Sequence, residues 1–197
     1  MSKAELLKSM TEANNGYLFT SEVQEASVSR TYLASFLREN NYEKVAKGIY
    51  VSGDVWPDEL YILQKCYPSI VYSGETALYL HSLIDREYSE ISITVPAGFS
   101  GSRLRERGIV IHSEKDDRYR LGIAEVVTQF GNKVRCYDKE RCLCDMIKNK
   151  RRIDIQNFQT AMRDYMKDKD KDLSRLIVYA QFLGNREEVM KYVEVLI

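Results

Sequence analysis

Residues 20–52, TSEVQEASVSRTYLASFLRENNYEKVAKGIYVS, decide how this chain is read. The spacing Ser21-x-x-Gln24 is that of a capping box. In such a box a hydroxyl and an amide side chain satisfy free backbone N–H groups at a helix start, so a short helix is expected here. Ala26-Ser27-Val28 interrupts it, and Ser29 is a second N-cap, opening a helix over Arg30–Glu39. In that helix Leu33, Phe36 and Leu37 recur at i, i+3 and i+4, the pattern of a buried stripe. Asn40-Asn41 stops it. Tyr42–Ala46 and Ile49–Ser52 then read as strands around a Lys47-Gly48 turn. Helix, tight turn, helix and hairpin is the order of a winged helix-turn-helix.

In that arrangement the second helix reads DNA, its N-terminal end facing base edges in the major groove. Thr31, Ser35 and Arg38 fall at i, i+4 and i+7 on its outer face, with Ser29, Arg30 and Tyr32 at its start. Arginine reads guanine through two hydrogen bonds, and serine or threonine serves bases or phosphate. Lys44 and Lys47 flank the wing tip, where lysine grips backbone phosphate. The competing reading is a helical hairpin and turn used only for packing; element order and basic outer positions together favour DNA.

Working outward, residues 3–14 are amphipathic, with Leu6, Leu7 and Met10 on one stripe, and Asn14-Asn15-Gly16 is a stop. Tyr17-Leu18-Phe19 is a short apolar run suited to a strand beside the wing. Residues 1–52 thus form a winged DNA-binding domain, and the Gly- and Pro-containing break at 53–58 reads as a linker. Residues 58–197 form a second domain. It holds a helix over Glu59–Cys66, a strand at 70–72, and a helix from Ser73 to about Leu83. Further strands lie at 91–95, 109–112 and 134–137, and Asp138 caps a helix reaching Ile147. From Ile153 onward the pattern is helical, at 158–166, 173–183 and 187–196, with a charge run at 167–172 read as solvated. Strands before helices give an α+β fold: an N-terminal winged helix-turn-helix, then a mixed α/β C-terminal domain with a helical tail.

With 197 residues, 44% of them apolar, the chain can bury a real core. Lys+Arg and Asp+Glu both number 29, and residues 1–52 carry six of each sign. Any DNA site must therefore come from local placement of charge rather than net charge. Four cysteines without C-x-x-C spacing and two histidines supply no zinc pattern, and no metal or cofactor is expected. Without a signal peptide, lipidation motif or long apolar run, the expected location is cytoplasmic, with no membrane contact.

No nucleophile–base order, phosphate loop or paired-carboxylate spacing is present, so the chain does not read as an enzyme. Arg141 and Asp145 at i, i+4 beside Glu140 read as a salt bridge on a half-buried helix. His81 reads as a hydrogen-bonded structural residue, and His112 has no partner nearby in sequence. Arg103, Arg105 and Arg107 alternate in a glycine-flanked loop. Residues 133–152 hold eight basic and three acidic side chains, ending Lys148, Lys150, Arg151, Arg152. These seven form a candidate C-terminal basic patch for nucleic acid or another anionic partner, weighed equally against a solvated face.

Arg30-Thr31-Tyr32-Leu33 followed by Lys47-Gly48-Ile49-Tyr50-Val51 resembles the N-terminal winged domain of the AbiEi antitoxins of bacterial abortive-infection, type IV toxin–antitoxin, systems. The similarity continues in residues 72–83, YSGETALYLHSL, in Ile91-Ser92-Ile93-Thr94-Val95-Pro96, and in residues 137–145, YDKERCLCD. The chain departs from that family at Ala26-Ser27 and at Ser82, where glycine is common. The resemblance implies a winged domain that represses its own operon at double-stranded operator DNA, commonly an inverted repeat, with dimerisation on DNA left open. It implies a C-terminal domain that counteracts a nucleotidyltransferase-like toxin without requiring a stable complex, as part of phage resistance. The alternative is a winged-helix transcriptional regulator whose C-terminal domain binds an effector or mediates dimerisation.

Overall fold

In the computed structural model, which describes residues 2–196, the chain forms two compact units. One runs to Pro68 and takes in Val127–Lys133; the other comprises Ser69–Val126 and the chain from Val134 onward. The fold is α+β, with a winged-helix first unit and a mixed-sheet second unit ending in helices.

The first unit contains α1 (Lys3–Ala13), β1 (Tyr17–Phe19), α2 (Thr20–Glu25), α3 (Arg30–Glu39), β2 (Tyr42–Ala46), β3 (Ile49–Ser52) and α4 (Glu59–Cys66). Its sheet has the order β1-β3-β2, all antiparallel. The apolar run before α2 is therefore the third strand, with Tyr17 opposite Val51 and Phe19 opposite Ile49. Alternation along β3 follows: Ile49 and Val51 are buried, Tyr50 and Ser52 half-buried. Leu7, Val23, Leu33, Phe36 and Leu37 form the helical core, so the stripe on α3 packs as its spacing dictates.

Two details of the helix pair differ from expectation or sharpen it. Ser21 and Gln24 form no capping box, because β1 runs straight into α2 and its N-cap residue, Phe19, offers no side-chain oxygen. The N–H of Thr20 donates instead to the carbonyl of Gly48 at the wing tip, at 2.9 Å. At the other end, Ser27 takes φ +58°, and Val28 N–H bonds Val23 C=O while Ser27 N–H bonds Gln24 C=O. That pair of bonds is a Schellman motif, which ends α2 and turns the chain into α3.

The 53–58 break lies inside the first unit rather than at its edge. Asp58 is buried and is the N-cap of α4, its Oδ1 accepting from Tyr61 N at 3.1 Å. Its Oδ2 accepts from Thr128 Oγ1 at 2.6 Å and Asn132 Nδ2 at 2.9 Å, and its own N–H donates to Tyr17 Oη at 2.7 Å. Asn15 Nδ2 donates to Gly131 O and Asn132 Oδ1. These bonds hold residues 127–133, a turn remote in sequence, in the winged unit. The boundary at Pro68 therefore replaces the 52/58 division suggested by local composition.

The second unit contains β4 (Val71–Tyr72), α5 (Gly74–Leu80), β5 (Ser92–Pro96), α6 (Ser102–Glu106), β6 (Val110–Glu114), α7 (Asp116–Arg120), β7 (Ile123–Val127), β8 (Lys133–Tyr137), α8 (Lys139–Lys148), α9 (Ile155–Lys167), α10 (Leu173–Leu183) and α11 (Arg186–Leu196). The sheet order is β6-β5-β4-β8-β7; β4 is antiparallel to β5 and parallel to β8, and β5 is parallel to β6. The 70–72 run, fully buried, is the hinge of this mixed sheet. Strand β7 and helices α6 and α7 are additional to the elements read from sequence. Ser73 precedes α5 but makes no cap bond; its Oγ accepts from Thr94 Oγ1 at 2.9 Å. Among the described residues, no helix is long and apolar enough to cross a membrane.

Candidate nucleic-acid interface

The outer face of α3 is built by what its inner face must bury. With Leu33, Phe36 and Leu37 packed inward, Arg30, Thr31, Ala34 and Arg38 stand exposed and Ser35 half-buried on the opposite side. Ser29 Oγ caps the helix by accepting from Tyr32 N at 3.3 Å, so this hydroxyl and the half-buried Tyr32 ring serve to set the first turn. Ser35 Oγ donates to Glu39 Oε1 at 2.8 Å, which ties down the one acidic side chain on α3. Lys3, on α1, brings its Nζ to 5.7 Å from the centre of the Tyr32 ring. This adds a cation to the start of α3 that the local sequence of the helix does not reveal.

The wing follows directly. Lys44 lies opposite Tyr50 in the β2–β3 ladder, and a bulge between Lys44 and Ala46 twists the hairpin before its tip. Gly48 turns that tip with φ +76°, leaving Lys47 and Lys44 exposed. Arg30, Arg38, Lys44, Lys47 and Lys3 are thus the basic groups of α3, the wing and the adjoining helix end. The remaining acid on these strands is Glu43. Equal numbers of each sign over residues 1–52 are compatible with a basic reading face, because charge acts through its placement.

The seven C-terminal basic residues occupy separate elements. Arg103 and Arg105 lie on α6 and Arg107 is its C-cap; this stretch is a helix rather than the loop read from sequence. Alternate positions on a helix point to opposite sides, so only Arg103 and Arg107, four apart, share a face. Lys148 closes α8, and Lys150, Arg151 and Arg152 follow it, with Lys150 Nζ 5.8 Å from the Tyr192 ring centre. All seven are exposed. Helix α6 packs on β6, at the sheet edge three strands from β8, which leads into α8.

Several titratable groups of the second unit are tied into structure. Arg141, 1% exposed, donates Nε–H to Asp145 Oδ2 at 2.9 Å and Nη1–H to the carbonyls of Arg118 and Leu121 at 2.5 and 3.0 Å. Its guanidinium also lies 4.4 Å from the Tyr137 ring centre. Burial raises the Asp145 carboxyl above its ordinary value, with Arg141 opposing. Glu140 accepts from Tyr165 Oη and Asp172 N, both at 3.0 Å. The charge run at 167–172 is therefore not merely solvated: Asp168 pairs with Lys139, and Asp172 caps α10 while bonding Glu140. His81 Nε2 sits 2.7 Å from Tyr137 O; burial works to lower its pKa, but its hydrogen bonds to Cys136 and Tyr137 O outweigh that and raise it. His112 finds a partner through strand pairing, Ser92 Oγ at 3.3 Å, which lies 20 positions away in sequence.

No protein-family model matches the chain, and no curated protein matches it. Among solved structures it is similar to the crystal structure of the RV2827C protein from Mycobacterium tuberculosis. The TM-score is 0.58 and the identity 11%, over 97% of this chain and 74% of that one. At that identity the likeness speaks for the fold.

Proposed function

We propose that the protein is a winged-helix transcriptional repressor of the AbiEi antitoxin kind, binding double-stranded operator DNA through α3 and the wing. The observation that carries this reading is the exposed row Arg30, Thr31, Ser35 and Arg38 on α3, continued by Lys44 and Lys47. Two arginines on the free face of α3, continued by two lysines on the wing, put cations where a reading helix and its wing meet base edges and phosphate. The antitoxin half rests on the four sequence blocks shared with that family, two of which contain the residues that make β5 and the buried start of α8. On this reading the second unit counteracts a nucleotidyltransferase-like toxin without forming an obligatory complex.

A promoter-reporter strain that co-expresses a nucleotidyltransferase-like toxin under separate control tests both halves. Wild type should repress its own promoter and rescue growth; Arg30→Ala with Arg38→Ala should abolish repression and leave rescue intact. Repression without any rescue would leave a plain winged-helix regulator. Unchanged repression in the double variant would remove α3 from the reading position.

A further inference from the structure

Resting on the reading of α3 as the DNA-contacting helix, we infer that Ala34 reads the 5-methyl group of a thymine between the bases reached by Arg30 and Arg38. Ala34 is exposed in the middle of α3, four positions from each arginine. Successive steps of four residues turn about 40° and rise about 6 Å, so the three side chains share one face. For a helix lying along the groove, 6 Å is a little under two base pairs at about 3.4 Å each. The remaining groups on that face are polar: Thr31 and Ser35 flank Ala34, and Ser35 is committed as donor to Glu39 at 2.8 Å.

A single methyl at that place does two things. It lets the helix seat closely against the base edges, since nothing longer projects there. It also offers the groove an apolar surface, and the thymine methyl is the apolar feature of the major-groove edge. A hydrogen-bonding residue at position 34 could read any base; alanine distinguishes only the presence of a methyl. The operator half-site is therefore assigned a thymine whose methyl, rather than its O4, is what matters.

The test uses the full-length protein and the tightest duplex recovered by selection from random DNA, in which each thymine is replaced singly by uracil. The substitution deletes one methyl and leaves every hydrogen-bonding group in place. One position in each half-site should weaken binding about three- to fourfold, the value of one buried methyl group, and the others should not. In Ala34→Ser, that position should lose its thymine–uracil difference while Arg30→Ala still weakens binding. If no uracil position weakens wild-type binding, or if the difference persists in Ala34→Ser, the assignment to Ala34 is wrong. In either case a retained Arg30→Ala effect leaves α3 as the reading helix, whereas loss of that effect strikes the underlying reading itself.

Discussion

Arg141→Ala is expected to destabilise the second unit by about 3 kcal/mol, the lower end of the usual cost of breaking a buried ion pair, since Asp145 keeps 27% of its side chain exposed. The side chain is 1% exposed, and its removal strands two carbonyl groups, of Arg118 and Leu121, together with the Asp145 carboxylate. Gly122 shows how tightly the site is made: with φ +79°, a Cβ there would meet Arg141 Cβ at 2.7 Å. Arg141→Lys should recover only part of the loss, because an ammonium cannot span two carbonyls and a carboxylate as the planar fork does. A pH signature separates this from a simple packing defect. Burial already raises the Asp145 carboxyl above its ordinary 3.8, and loss of the guanidinium raises it further. A folded-state carboxyl pKa above the unfolded value means that stability falls as pH rises between the two. The deficit of Arg141→Ala should therefore be largest near neutrality and shrink as pH falls toward 4, measured by denaturant unfolding of variant and wild type side by side. A deficit that is constant across that range would assign Arg141 to packing and its carbonyl bonds, with nothing from the Asp145 pair.

The second large effect is expected at Asp58. Asp58→Ala removes an N-cap, worth about 1 kcal/mol, and the acceptor of two buried bonds to a carboxylate, each worth about 1.5–3 kcal/mol. The winged unit should lose about 3 kcal/mol or more, and residues 127–133 should lose their hold. Amide exchange reads this directly: the N–H groups of Gly131 and Asn132, bonded to Thr128 O and Thr128 Oγ1, should exchange far faster in the variant. Asp58→Asn, which keeps an acceptor oxygen, should sit between. The same bonds predict that a fragment of residues 1–52 folds poorly. It lacks α4, whose Tyr61 packs edge-on to Tyr17 at 5.0 Å, and it lacks the 127–133 turn. Unchanged exchange in Asp58→Ala would mean the turn is held by something other than this carboxylate.

Sequence periodicity revealed the part of the winged unit within residues 1–52, because the signals there are local. The stripe Leu33, Phe36, Leu37, the Ser29 cap and the Lys47-Gly48 turn each lie within a few residues of their partners. The turn Ala26-Ser27 and the position Ser82, where glycine is common in the resembling family, hold positive φ at a helix end, +58° at Ser27 and +55° at Ser82. What local signals could not carry was long-range: the return of residues 127–133 to the first unit, Lys3 over Tyr32, and Ser92 beside His112. Helices α6 and α7, five residues each, are too short to show a period, and β7 lies at the sheet edge. The Ser21–Gln24 box failed for a tertiary reason: pairing of β1 with the wing strand runs up to Phe19, which becomes the N-cap and leaves Ser21 inside the first turn. Ala34 was legible in principle, from its spacing between two arginines, once α3 had a known inner face.

The proposed role of α3 is tested most directly by titrating the protein's own promoter DNA at several salt concentrations with wild type, Arg30→Ala/Arg38→Ala and Lys44→Ala/Lys47→Ala. A bidentate arginine–guanine contact is worth about 1–3 kcal/mol of discrimination. The arginine pair should therefore bring promoter binding down toward the level of unrelated DNA. The lysine pair should weaken promoter and unrelated DNA alike and reduce the slope of log K against log salt by about 0.9 for each phosphate that is no longer neutralised. Promoter affinity and specificity unchanged in the arginine pair would contradict the account.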